Sequence, residues 1–535
     1  MQFEGAEGAG HGTGRDGEGG TGHGTGHRGE SGTGHGGRRV RAATAVAALL
    51  AVAAGVALPA AQAAQPQQHG PGAGPTEAPV GMWRMDGYGT VLAVAHNRVR
   101  EYQTTDSGCL KGTSSKRVRG DAAARYKSAD GQTFTLRREQ GPWDRPTRHR
   151  TDQANRAHRA EGSGRAARAD RASMHIDGSP GDRRLRRIEA LPAACVRDVP
   201  DDPVHTFDVF WQTFEENYPF FEAKGVDWHA VREHWRPRID SRTTPARLFA
   251  VFRKMVAPLH DAHVAVLAGD TGTFGRVRPG TEMPTPELDA KVRKFIEERD
   301  LRGGRLRQFA GGRIGYARLP GGRGYLRVSG FTGYTEDGSY EADRAELRRA
   351  LDAVLTPERT ARLKGLVLDL RVNGGGSDSL GLELAARLTG GPYFAYAKAA
   401  RNDPADPGRF TRPQPSYVRP APGRPRYTGP VAVLTGGSTL SAGETFTQAL
   451  MERPGRTVRI GQHTQGVFSD TMERRLPNGW SFLLPNEEFR TRDGRTFDGK
   501  GIPPHISEPV FTHGEFEHDR DSAFDRAVAE LREAG

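Results

Sequence analysis

Two short runs constrain this chain more than any other feature: GLVLDL (365–370) and PVAVLT (430–435). Each is continuously apolar rather than alternating, the pattern of a strand buried on both faces. Each ends in a Gly/Ser-rich turn that leads into a helical pattern, LGLELAARLTG after the first and SAGETFTQALMERPG after the second. Strand–turn–helix twice over predicts a layered α/β domain whose site lies at the strand ends. The intervening segment 391–429 is rich in Pro and Arg and reads as an excursion over the surface.

The rest of the chain is unevenly built. Its 535 residues include 70 Gly and 35 Pro, and only 35% are hydrophobic, low for a globular protein. Much of that deficit lies in residues 1–37, where Gly, His, Thr and charged residues leave almost nothing to bury, the composition of a disordered tail. Its spaced His11, His23, His27 and His35 are weak metal candidates and read better as part of a solvated tail. Arg38, Arg39 and Arg41 then precede an Ala-rich apolar run, Ala42 to Leu58, and Ala61-Gln62-Ala63 has the small-x-small form of a cleavage site. This predicts a signal peptide cut near Ala63, so that 1–64 are tail plus leader and the mature protein is secreted or extracytoplasmic. A membrane enters only if that segment stays uncleaved.

Export gives the two cysteines a meaning. Cys109 and Cys195 flank a β-rich stretch and would sit in an oxidising compartment, which predicts a disulfide closing that module. The module, 77–196, reads as a small antiparallel barrel or sandwich, with a disordered Arg-rich insertion over about 145–172. The net charge of +12 sits partly in that insertion. Without interleaved aromatics it is no nucleic-acid footprint, and no nucleic-acid partner is expected. A helical subdomain follows over 202–270, where Phe207, Phe210, Trp211 and Phe214, then Leu248, Phe249, Phe252 and Met255, recur at helical spacing. These aromatics read as core. The α/β core spans 310–513, and 514–535 forms a C-terminal helix.

Four segments carry residues capable of chemistry. Ser441 stands where the second buried strand gives way to a helix N-terminus, where free N–H groups and the helix dipole favour developing negative charge. A serine so placed can attack a carbonyl; taken alone, it reads as a helix cap. TLSAG lacks the first Gly of a GxSxG elbow, and no Lys follows at SxxK spacing. Glu444, one turn further on, reads as a structural helix residue. After the first strand, Asn373 precedes Gly374-Gly375-Gly376, whose backbone N–H groups can approach a ligand closely. His260, Asp261 and His263 end the helical subdomain: a base for the serine, or two ligands of a metal with no convincing third. Asp498 lies beside Gly499 and Gly501 and could orient a histidine.

In this order, LHDAH, LVLDLRVNGGG, STLSAGETF, IGQHTQGVFSD and FDGKGIPPHI resemble the tail-specific serine peptidases. That family includes C-terminal processing peptidases, the tricorn protease core and the interphotoreceptor retinoid-binding protein repeats. The resemblance spans about 205–511 and implies a crotonase-like (ClpP-like) spiral core. It implies Ser441 as nucleophile, with an oxyanion hole from the Ala442 N–H and one N–H of Gly374–Gly375. Val467 stands where the processing peptidases carry their lysine, so a Ser-Lys dyad is not expected, and 264–325 shows no PDZ-type signal. His263 matches the general base of the tricorn-like branch, and Asp498 its acid. Ala262 replaces the serine that precedes the histidine there, and Asp498 is one methylene shorter than the usual Glu. The expected activity is hydrolysis of peptides or unfolded chains with no metal or organic cofactor. The alternative is a non-catalytic protein binding a hydrophobic ligand or peptide on the same fold.

Overall fold

The structure is a computed structural model that describes residues 78–121, 123–139, 171–401 and 403–534. The expected tail and signal segment, 1–64, and residues 145–170 of the expected insertion lie outside the described residues. Arg171 and Ala172, the last two of that expected insertion, open a strand instead.

Between a barrel and a sandwich, the β module is a barrel. Eight antiparallel strands close on themselves: β1 (Gly81–Met85), β2 (Thr90–Val94), β3 (Arg98–Thr105), β4 (Gly108–Arg117), β5 (Arg125–Lys127), β6 (Thr133–Arg138), β7 (Arg171–Ile176) and β8 (Arg183–Ile188). Closure is made by β1, which pairs with β2 along one edge and β8 along the other, so no edge is left open. Alternating side chains fill the interior, with Trp83, Tyr126, Leu136 and Leu185 all buried. Cys109 on β4 is bonded to Cys195, in the short helical turn Ala193–Val196 after β8.

The helical segment begins at Pro203–Asn217, capped by the Asp202 carboxylate with Pro at its first position. Pro245–Val256 follows, capped by Thr244. The expected aromatic stripe is core: Phe210 stacks on Phe252 at 4.0 Å between ring centroids and meets Phe482 edge-on at 4.9 Å. Immediately after His263 the chain enters the strand Ala265–Leu267, which pairs with Ser481–Pro485. The histidine loop is thereby pinned between the helices and the second half of the core.

The core is a seven-stranded sheet. From Arg323–Val328 its neighbours are Gly365–Asp369, Val431–Thr435, Thr457–Gly461 and Ile506–Ser507, all parallel. The two runs that open the sequence reading are its central strands, and every residue of both strands is buried. Leu366, Leu368, Val431 and Val433 face one side, packed with Leu347, Leu384 and Phe446 of the crossover helices. Val367, Ala432 and Leu434 face the other, covered by Phe524, Ala527 and Leu531 of the C-terminal helix Ser522–Glu533.

The segment 391–429 differs from expectation. It contains Tyr393–Ala400, a largely buried strand paired with both Gln414–Val418 and Glu487–Arg490. The apolar YFAYA run forms this strand inside a segment whose Pro and Arg content suggested a surface path. Among the described residues no helix is long and apolar enough to cross a membrane.

Candidate active site

Ser441 caps the helix Ala442–Ala449 with a backbone of φ 56°, ψ −125°. A non-glycine residue rarely holds such a conformation, which costs on the order of 1–3 kcal/mol. Here it is held on both sides. Its N–H donates to the Val467 carbonyl (3.0 Å), and its own carbonyl accepts the N–H groups of Glu444 (2.8 Å) and Thr445 (3.0 Å). Ser441 makes no side-chain cap bond, which leaves its hydroxyl free of the role a capping serine would have. The Ala442 N–H beside it occupies the first helical position and has no intrahelical acceptor.

The glycine loop lies directly against this serine. A Cβ built on Gly375 would fall 2.5 Å from Ser441 Cβ, 3.0 Å from its Oγ and 3.1 Å from the Ala442 nitrogen. The missing side chain is what allows the approach. The two glycine N–H groups expected to serve an oxyanion have partners in this structure: Gly374 donates to the Ser329 carbonyl (3.1 Å) and Gly375 to Asn373 Oδ1 (2.9 Å). Asn373 is fully buried and donates through Nδ2 to the Val328 carbonyl (2.8 Å).

His263 is buried, and its Nδ1 has no hydrogen-bond partner. The Ser469 carbonyl is the backbone acceptor facing the ring. Burial lowers its pKa below the ordinary 6.5, partly offset by the carboxylates of Asp261 and Asp470. Asp261 is engaged on both oxygens, accepting the His263 backbone N–H (2.9 Å) and the Tyr218 hydroxyl (2.8 Å). Asp498 accepts the Phe468 N–H (3.3 Å) and the Thr496 hydroxyl, and no hydrogen bond joins it to His263. Burial pushes its carboxyl well above the usual range, with Glu444 and Asp261 adding to the effect.

The strip that ties these parts together is 464–470. Val467 holds Ser441, Phe468 touches Asp498, and Ser469 faces His263. Glu444, wholly buried, accepts the N–H groups of Gly466 (2.7 Å) and Val467 (2.8 Å), and burial pushes its pKa up to about 7. Ala262 and Leu440, which precede His263 and Ser441 in the chain, form a small apolar cluster with Val467, joined by half-buried Val277 and Met283. Across them runs 276–285: Arg278 donates to the carbonyls of Thr464 (2.7 Å) and Gln465 (3.0 Å), and Ser438 Oγ donates to the Glu282 carbonyl (2.7 Å). His260 lies at the same corner with a positive φ of 46°. Among the described residues no group of three or more His, Cys, Asp or Glu is placed to hold a metal.

Residues 322–508 match the family model of peptidase family S41, and residues 201–257 match that of the tricorn protease C1 domain. The second half of the chain is thus similar to peptidase family S41. A crystal structure of a candidate peptidase from Parabacteroides merdae is 24% identical, covering 62% of this chain and 96% of its own, at a TM-score of 0.52. A lipoprotein from Streptococcus agalactiae is 13% identical over 64% of this chain and 99% of its own, at a TM-score of 0.41. The photosystem II D1 C-terminal processing protease is 18% identical over 57% of this chain and 93% of its own, at 0.37. A comparison with curated protein sequences finds no match.

The match supports a serine peptidase, an activity that implies peptide or protein substrates. Ser441, Gly375 and Ala442 are brought together, and Ala262, the residue before His263, packs with Leu440, the residue before Ser441. Asp498 stands behind, one hydrogen bond away from the strip. The sequence reading missed Asn373 as a partner for the glycine loop, Ser469 as a neighbour of His263, and the 276–285 cover. Arg278-Pro279-Gly280 is a turn signal, yet nothing in it indicates which residues it crosses.

Proposed function

We propose that this protein is an exported serine peptidase that hydrolyses peptides or unfolded polypeptides through an acyl-enzyme on Ser441, with His263 as general base. The observation carrying this reading is Ser441 itself: a serine held at positive φ, with no capping bond, against a glycine and at a helix N-terminus. Strain of this kind persists where surrounding structure over-determines it, and it clusters at functional positions.

His263 takes the Ser441 proton as Oγ attacks the substrate carbonyl, then returns it to the leaving amine. Water, activated by the same imidazole, releases the acyl group. The oxyanion forms beside Gly375, where the Ala442 N–H is available. A second donor from Gly374 or Gly375 requires that N–H to exchange its present partner, Ser329 or Asn373, for the substrate oxygen. Asp498 supports the base indirectly, by fixing the Phe468 end of the strip behind it. The half-buried Val277 and Met283 present an apolar wall to the substrate next to the nucleophile. Export rests on the Ala42–Leu58 run and on the disulfide, which oxidising compartments favour.

The test is labelling of the full chain by a fluorophosphonate probe, comparing wild type with Ser441→Ala and His263→Ala. Wild type labels at one serine and both variants lose labelling. Labelling that survives Ser441→Ala removes the nucleophile assignment. A wild type that neither labels nor cleaves an unfolded protein supports a binding protein instead.

A further inference from the structure

Among the barrel's contacts with the rest of the chain, two turns reach the region of the strip beside His263. In the β7–β8 turn, the Gly178 carbonyl accepts the Ser377 hydroxyl (2.8 Å) and the Ser379 N–H (3.1 Å). Ser377 directly follows the glycine loop and caps the helix Asp378–Ala385. The next residue of the turn, Ser179, donates its hydroxyl to Asp470 Oδ2 (2.7 Å) and accepts from Lys398 Nζ (2.8 Å). The same ammonium lies 3.2 Å from Asp470 and 3.3 Å from Glu487. In the β1–β2 turn, the Gly87 carbonyl accepts from Asn486 Nδ2 (2.6 Å), and the Tyr88 hydroxyl bonds to Glu487. Ser469 Oγ in turn accepts the N–H groups of Asn486 (3.2 Å) and Glu487 (3.1 Å). One barrel turn therefore touches both the glycine loop and the segment whose Ser469 carbonyl faces His263.

The composition of this junction is informative. Lys398 and Glu487 are buried and Asp470 is half-buried, where apolar packing would hold two modules together equally well, since buried ion pairs add little net stability. What such a cluster does supply is a fixed geometry, because each member is satisfied only in one arrangement.

We infer that Ser179 is a positioning residue for the peptidase site, holding Asp470 and Ser469 against His263 from the barrel side while Gly178 holds the end of the glycine loop. The barrel is then a working part of the site rather than an appendage. This rests on the Ser441–His263 reading for its catalytic meaning.

Two measurements on the full chain test it. In Ser179→Ala the rate of Ser441 labelling by a fluorophosphonate falls about tenfold, the scale expected for a small misplacement of a catalytic group. Ser179→Thr, which keeps the hydroxyl, restores the rate. The second measurement is the titration of the His263 ring by NMR. The ring faces Asp261 on its own loop, Asp470 on the strip and Lys224 from the helix Phe221–Lys224. Asp470→Asn removes one negative neighbour, so the ring titrates at lower pH. Ser179→Ala labelling at the wild-type rate, a loss that Thr does not restore, or a His263 titration indifferent to Asp470→Asn overturns the inference. A wild type that does not label defeats the Ser441–His263 reading instead, and the ring titration then decides the positioning alone.

Discussion

Adding one methyl group to the glycine loop separates the proposed site from an ordinary turn. Gly375 has φ 76°, so Gly375→Ala forces an alanine into the left-handed region, at roughly 1–2 kcal/mol. The new Cβ falls 2.5 Å from Ser441 Cβ, and Ser441 cannot retreat because its N–H and carbonyl are both tied down. Overpacking of that kind costs roughly 1–3 kcal/mol more, for a total near 2–5 kcal/mol. The same methyl sits 3.1 Å from the Ala442 nitrogen, in the space an oxyanion would use. Labelling by a fluorophosphonate should therefore fall by at least about 10²-fold, the scale for losing one oxyanion donor. Gly374→Ala is the control. Gly374 has no positive φ, and its Cβ would meet only Pro284 Cγ at 3.5 Å, an ordinary contact. It should stay within about 0.5 kcal/mol of wild type. Guanidinium unfolding and labelling rates on both variants decide the matter. A Gly375→Ala protein that labels normally, or a Gly374→Ala protein equally damaged, refutes the argument.

Two further outcomes follow from the same structure. Burial depresses the His263 pKa below 6.5, so the proposed base stays neutral in mildly acidic solution and the acidic limb of a labelling-rate profile lies below pH 6.5. The sign for stability is the opposite of a paired histidine: the contribution is present above pH 6.5 and is lost as pH falls towards the depressed folded-state value. Thermal melts from pH 8 to 5 register that loss, and in His263→Gln the component vanishes. The Cys109–Cys195 bridge closes a sequence separation of 86 residues. Chain-entropy reasoning gives it about 4–5 kcal/mol. Replacing both cysteines with serine should lower the denaturation midpoint markedly, and a midpoint unchanged by the double replacement would contradict that value.

The parts of this fold legible in the sequence are those whose signal is local. Gly365–Asp369 and Val431–Thr435 announce themselves because a strand covered on both faces has no polar positions to break the run. Ser441 and Gly374–Gly376 sit at the ends of those strands, so their elements place them. The Phe210–Phe252 pairing was foreshadowed by helical spacing. What stayed hidden depends on contacts between distant segments. Lys398 reads as an exposed residue in a Pro/Arg-rich region, and only the pairing of Tyr393–Ala400 with Glu487–Arg490 buries it. Ser179 reads as one more turn serine until β7 and β8 deliver it to Asp470. The choice of barrel over sandwich turned on whether β1 would pair with β8, a contact about a hundred residues apart in the chain.

The arrangement of carboxylates bears on how a histidine can work here without the preceding serine that Ala262 replaces. An imidazole that accepts a proton inside a dry site needs a negative charge nearby. Asp498 is poorly suited to supply it, because burial among Glu444 and Asp261 drives it towards the neutral form and its oxygens already serve Thr496 and Phe468. Asp470 is in the opposite state. Half-buried, it is held below the usual carboxylate range by Lys398, with the Ser179 hydroxyl assisting. It is therefore a charged neighbour of His263 whose ionisation is secured. The negative charge that favours an imidazolium then comes from Asp470 and Asp261 together, and its constancy depends on a lysine from the core and a serine from the barrel. If His263 is the base as proposed, alanine at position 262 is tolerable, because the imidazole is biased through the field of nearby carboxylates rather than through a chain of hydrogen bonds.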